Sequence, residues 1–247
     1  MKNILRLLTL SIFVLLANCK GESNQKKDNY KPLTKDEVKA SVNKKDIDPE
    51  LKKKLEGLIE LLEDHPKSAK LYAERAGIFV DMKEITQALA DITMAVDLDP
   101  NNADYRTNRA QLLRQFKKNV PALEELNKAL ELEPKHLGAL FNRGALYFNT
   151  NKFEKALADF TTCIESRPEV APPYYNRAFT YEQLHDFKAA KNDLKEFVKL
   201  TDNEKWKRLA TEKIDEWDKV QYKQVVTPEE AEKMGIDTKG LGMGMHK

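Results

Sequence analysis

Apolar and polar positions along this chain follow two nested periods. Over short stretches the apolar residues recur every three or four positions, as a helix requires to present one face to a core. Over longer stretches the pattern repeats every 34 residues: Arg75, Arg109, Arg143 and Arg177 keep that step, and so do Pro66, Pro100, Pro134 and Pro168. Small residues keep it too, with Ala76, Ala110, Gly144 and Ala178 in one helix, and Ala88, Ala122, Ala156, Ala190 and then Ala95, Ala129, Cys163 in the next, where the last unit has the large Phe197 instead. Such small residues let backbones approach closely. Larger side chains fill the spaces between them: Tyr72, Leu140 and Tyr174; Phe79, Leu113, Tyr147 and Tyr181; Ile92, Leu126, Phe160 and Leu194. The pattern predicts four two-helix units, 69–102, 103–136, 137–170 and 171–204, none able to bury its apolar face alone. An all-α solenoid follows.

Both ends of the array carry the same pattern in incomplete form. Asp48-Pro49 is a helix start, and Leu51, Leu55, Leu58, Ile59 and Leu62 then form one apolar face that ends near Pro66, in register with the later prolines. Residues 48–66 therefore read as an N-terminal capping half-repeat. Asp202 stands where the earlier units have proline and lets the chain run on. Trp206, Leu209, Lys213, Ile214, Trp217 and Val220 share one face of a C-terminal capping helix over 205–222, expected to seal the open end. Beyond it, 223–247 is expected to be mostly flexible, with one short helix opened by Thr227-Pro228-Glu229-Glu230.

Before the array, Lys20 to Ile47 is too polar to form a core and reads as a tether. Thr34-Lys35-Asp36-Glu37 has capping-box spacing for a short helix through about Val42, which needs a docking surface to be stable. At the extreme N-terminus, Lys2 and Arg6 precede an apolar run from Leu7 to Ala17, well short of the roughly 20 residues that span a bilayer. Residues 1–18 read as a secretory signal. Leu16-Ala17-Asn18-Cys19 resembles the lipobox of bacterial lipoproteins, with Asn18 departing from the usual small residue. The resemblance implies that Cys19 is acylated, typically with palmitate, and anchors the mature chain to a membrane. Lys20 rather than Asp after the cysteine is compatible with sorting to the outer membrane, facing the periplasm.

The chain has 42 basic and 40 acidic residues, and loss of Lys2 and Arg6 with the signal leaves the mature protein neutral. That balance argues against a general nucleic-acid binder. Cys163 falls at a small core position, so no disulfide with Cys19 is expected. The four histidines, His65, His136, His185 and His246, are not paired with a nucleophile or second ligand, and no glycine-rich phosphate loop is present. Met243, Met245 and His246 are the nearest approach to a soft-metal set, in a tail that also reads simply as a tail. Neither catalysis nor a cofactor is expected. Each repeated arginine has an acid 16 positions on, Arg75 with Asp91, Arg109 with Glu125, Arg143 with Asp159 and Arg177 with Asp193, a pattern of structural ion pairs rather than a binding row.

The 34-residue unit resembles the tetratricopeptide repeat, with consensus W-x2-L-G-x2-Y, then A-x3-F, then P, over roughly Asp48 to Tyr222. It departs in having Arg for the consensus Leu in all four units, Arg106 for the first aromatic of the second unit, and Asp202 for the last proline. The resemblance implies a concave groove lined by the first helix of each unit. At its groove positions stand Asn108, Gln111 and Arg114 in the second unit, Phe141, Asn142 and Phe148 in the third, and Tyr175, Asn176 and Phe179 in the fourth. The asparagines suit either the backbone of an extended peptide or bonds within the scaffold, and the aromatics either anchor a peptide or pack on one another. The family's two-carboxylate clamp is absent, because Ala73, Gly77, Gly138 and Pro172 occupy its Lys and Asn positions.

Together these features predict a non-enzymatic, lipid-anchored scaffold that binds a protein or peptide segment in its groove and serves bacterial envelope assembly or maintenance. The alternative is a passive structural or self-associating envelope protein whose groove is filled by its own chain.

Overall fold

The computed structural model describes residues 31–43 and 47–225, with side chains placed through Asp218 apart from 41–46. The signal, Cys19 and the glycine-rich tail lie outside the described residues. All regular structure among the described residues is helical: α1 Lys35–Asn43, α2 Pro49–Asp64, α3 Ala69–Asp81, α4 Ile85–Leu98, α5 Ala103–Gln115, α6 Asn119–Leu132, α7 Leu137–Asn149, α8 Phe153–Ser166, α9 Ala171–Gln183, α10 Phe187–Leu200 and α11 Glu204–Val225. None is long and apolar enough to cross a membrane.

Helices α3 to α10 form four units of two, each helix packing on the next, while the first helices α5, α7 and α9 also touch their neighbours in the stack. The unit boundaries have local causes. Ser68, Asn102 and His136 cap α3, α5 and α7 by accepting from the backbone N–H of Leu71, Tyr105 and Ala139. The fourth unit lacks such a cap at Val170 and opens with Pro172 and Pro173, which have no N–H to satisfy. Within each unit the turn passes through one left-handed residue, Lys83, Lys117, Asn151 or His185, at φ between 57° and 61°.

The core sits between the helix layers, where Ala88, Ala95, Ala122, Ala129, Ala156 and Ala190 are fully buried. Gly144 is glycine for a specific reason: a Cβ there would lie 2.8 Å from Cε1 of the fully buried Phe160. Units with Ala110 or Ala178 carry the slimmer Leu126 or Leu194 opposite.

At the N-terminal end the short helix expected from the Thr34–Glu37 capping box forms as α1 and docks: Thr34 N–H donates to Glu37 Oε2 and Glu37 N–H to Thr34 Oγ1, Val38 is fully buried, and Lys35 pairs with Glu63 of α2 at 2.6 Å. One expectation changes at the other end. On α11 the buried side is Ala210, Ile214 and Trp217 rather than the whole predicted stripe. Trp206 and Leu209 are 44% and 39% exposed and stand at the edge of that buried face. Trp217 fixes the cap by donating from Nε1 to Glu182 at 2.8 Å, and Lys213 reaches the same carboxylate at 2.9 Å.

Candidate functional site

The repeated arginines are scaffold. Arg75 makes a two-bond fork to Asp91 at 2.6 and 2.7 Å with 4% and 0% exposure, and Arg143 and Arg177 repeat it with Asp159 and Asp193. Burial drives the Asp91 carboxyl above the ordinary aspartate range, and the two bonds from Arg75 pull against that rise. Arg109 shares Glu125 with Arg106, which stands in place of an aromatic residue. A third donor extends two of these forks to the preceding unit, from Arg143 to Asn127 at 3.0 Å and from Arg177 to Thr161 at 3.1 Å. Each guanidinium thus ties two helices of one unit, and two of them also tie units together. Tyr72, Tyr147, Tyr174 and Tyr181 are only half-buried and lie against these cations rather than deep in the core.

What remains available lies along the first helices. Between α3 and α5 a recess of about 300 Å³ is walled by Ala73, Gly77 and Val80 on one side and Asn108, Gln111 and Gln115 on the other. Gly77 and Ala73 leave the room, and the polar residues of α5 give the recess donors and acceptors. Asn108 and Gln111 are both exposed.

Between α7 and α9 lies a wholly apolar pocket of about 250 Å³, lined by Leu137, Gly138, Phe141, Cys163, Val170, Pro172 and Pro173. A second, of about 280 Å³, lies beside it between α9 and the start of α11, lined by Ala171, Pro172, Tyr175, Asn176, Phe197, Thr201 and Trp206. Pro172 is the wall between the two. Phe141 rests against Phe160 at 5.9 Å, and Tyr175 against Phe197 at 5.0 Å, so both rings are held from behind with one side half-exposed.

The other predicted site residues are placed differently. Arg114, half-buried, donates to Asn142 Oδ1 at 3.1 Å, and Asn142 Nδ2 donates to Gly138 O at 2.9 Å. Asn176 makes the equivalent bond to Pro172 O at 3.0 Å. Two of the three asparagines therefore spend one donor inside their own helix. Phe148 turns to Phe153 at 5.8 Å, away from the two pockets. Phe179 sits 4.7 Å from Tyr175 and 6.0 Å from Trp217, under the cap. The structure thus brings Phe141, Tyr175 and Asn176 to one apolar stretch, Asn108 and Gln111 to a polar recess, and Arg114 with Asn142 to the zone between.

Trp206, read from the sequence only as part of the cap, is a wall of the second pocket and meets Tyr175 edge-on at 5.4 Å. A signal was present, because Trp206 follows Pro172 by the same 34-residue step.

Stacked two-helix units of one length, closed by caps, define a helical-repeat solenoid. Models of the tetratricopeptide repeat match residues 125–158 and 171–204. The first match straddles two units, as a periodic chain permits. YrrB, described as a TPR protein with an unusual peptide-binding site, superposes with a TM-score of 0.55 at 22% identity, covering 71% of this chain and 87% of that one. MamA from Desulfovibrio magneticus RS-1, residue 41 to the end, gives 0.56 at 16% identity over 62% and 86%. These likenesses concern the fold. No curated protein sequence matches the chain.

Proposed function

We propose that this protein is a non-enzymatic adaptor, held to a bacterial membrane by acylated Cys19, that seats a segment of another protein along the first helices of its repeats. The observation that carries the proposal is the pair of adjoining, mainly apolar pockets, with Phe141 and Tyr175 backed by Phe160 and Phe197 and with Pro172 and Trp206 as further walls. Rigid aromatic rings in a concavity anchor peptides at low entropic cost. The peptide-binding site ascribed to YrrB is precedent for such use of this fold. Basic residues, an apolar run and a cysteine following one another in the sequence support the anchor, and an outer-membrane location facing the periplasm, with a role in envelope assembly or maintenance, is the setting that fits them.

Crosslinking in the native membrane fraction tests this. Capture of a protein by wild type, lost with Phe141→Ala plus Tyr175→Ala while the fold persists, is the expected result, since such anchors contribute about 2 kcal/mol or more. Identical capture by both would remove the groove from the proposal. Cys19→Ala is expected to release the chain from the membrane fraction, and retention would remove the anchor.

A second reading, a self-associating structural protein, draws on Tyr175 and Phe179 already packing against Trp206 and Trp217. A monomer by light scattering counts against it.

A further inference from the structure

Among the described residues, the buried and half-buried arginines are Arg75, Arg106, Arg109, Arg114, Arg143 and Arg177, and all but Arg114 meet a carboxylate. Arg114 has one neutral partner, the Asn142 side-chain oxygen, and no other described acceptor takes its remaining donors. Burial alone acts on its proton affinity, lowering it, with no charged neighbour in opposition. Arg114 is half-buried and its remaining donors open to solvent, and a planar guanidinium fork matches a carboxylate better than any neutral group. Every other buried or half-buried arginine of this scaffold meets an acid of the chain itself, so Arg114 is the one whose fork is open to an anion from outside.

Asn142 holds Arg114 in place. Its oxygen accepts from the guanidinium, and its amide nitrogen is fixed by Gly138 O, so the asparagine is held at both ends. Gly138 is also a wall of the apolar pocket that contains Phe141. From Gly138 to Asn142 is one helical turn, about 6 Å along α7. An extended peptide advances about 3.3 Å per residue and points alternate side chains to the same side, so residues two apart cover about the same distance.

Resting on the groove function proposed above, we infer that Arg114 receives an acidic side chain of the bound segment, two residues along an extended chain from a large apolar side chain that enters the Phe141 pocket. The segment is therefore acidic-apolar in character. Arg114 sits outside the positions of the family's two-carboxylate clamp, whose Lys and Asn are missing here.

The test selects random nine-residue peptides, displayed within a carrier so that no free terminus is presented, on the purified full chain. Enriched peptides are then made with both ends capped and titrated by fluorescence anisotropy. The expected set carries Asp or Glu two positions from Phe, Leu or Met, and weakens about tenfold or more against Arg114→Gln, which keeps the wild-type unfolding midpoint. Replacing the acid by Lys is expected to transfer preference to the Arg114→Glu variant. Peptides without an acid, or peptides indifferent to Arg114→Gln yet lost with Phe141→Ala plus Tyr175→Ala, overturn the inference while leaving the groove intact. Failure to enrich any peptide, or binding indifferent to that double variant, overturns both. A capped Gly240–Lys247 peptide, which has no acidic side chain, binding as tightly as the selected ones would also overturn it, in favour of the chain's own C-terminus as occupant.

Discussion

Gly144→Ala is the sharpest probe of how the third unit is built. An added methyl meets Phe160 Cε1, Cδ1 and Cζ at 2.8, 3.0 and 3.1 Å, all closer than carbon atoms pack. The ring has little freedom to retreat, being fully buried with the tilted Phe141 ring packed against it at 5.9 Å. Overpacking of this kind costs about 1–3 kcal/mol. Removing a glycine from a helix interior returns about 1 kcal/mol, so the net expectation is a loss of about 1 kcal/mol.

The partner change reverses the sign. Phe160→Leu alone is expected to cost about 1 kcal/mol through lost packing, but it vacates the space the methyl needs. In that background Gly144→Ala should stabilise by about 1 kcal/mol, because alanine over leucine is the pairing already used by Ala110 with Leu126 and Ala178 with Leu194. Urea unfolding of the four proteins, followed by circular dichroism and tryptophan fluorescence, gives the cycle. A coupling of about 1–3 kcal/mol is expected. Additivity within about 0.5 kcal/mol, or a Gly144→Ala protein more stable than wild type, would refute the steric account.

Three further outcomes are expected. Arg75→Met strands Asp91, which is 0% exposed, and should cost about 3–5 kcal/mol in urea unfolding, whereas Arg75→Met with Asp91→Leu should recover most of it; equal losses for both would argue against the buried-charge explanation. Burial, with Asp159 nearby, pushes the Cys163 thiol up to about 12, so in a Cys19→Ala chain it should resist a disulfide reagent at pH 8 and react only on unfolding. Lys117→Gly relieves a lysine held at φ 57° and should raise stability by about 1 kcal/mol, read as a shift in unfolding midpoint without change in slope.

Much of the fold could be read from the sequence because a repeat states each structural requirement several times. Arg75, Arg109, Arg143 and Arg177 each came with an acid 16 positions on, and the pairing was legible without knowing where any helix lay. The groove residues had no such redundancy. Phe148 and Phe141 occupy groove positions of the same helix, yet one turns to Phe153 and the other faces a pocket. That choice depends on which neighbouring ring is nearer, a property of packing that helical spacing leaves open. The edge of the seal on α11 was hidden for a related reason: the sequence showed an apolar stripe, but only packing decides that Ala210 and Trp217 turn inward, that Leu209 stays 39% exposed and that Trp206 meets Tyr175 at a pocket rim.

The exceptions to the period are therefore the better guide to the site. Three of them gather around one apolar stretch. The prolines at 172 and 173 replace the side-chain cap that opens each of the first three units, and Pro172 becomes the wall between the two pockets. Gly144 with Phe160 replaces the alanine paired with leucine or isoleucine in the other units, and Phe160 supports Phe141 from behind. Asp202 replaces a repeat proline, so the chain continues into α11 and delivers Trp206 to Tyr175. A scaffold alone has no need of these changes, since the regular units stack without them. Their common consequence is a pair of apolar pockets whose rings are braced by the core, and a surface built at the expense of regularity is where a partner is to be sought. If so, restoring the regular pair with Gly144→Ala plus Phe160→Leu should leave stability near wild type while loosening Phe141 and weakening capture of that partner; unchanged capture would show that the bracing matters only to the core.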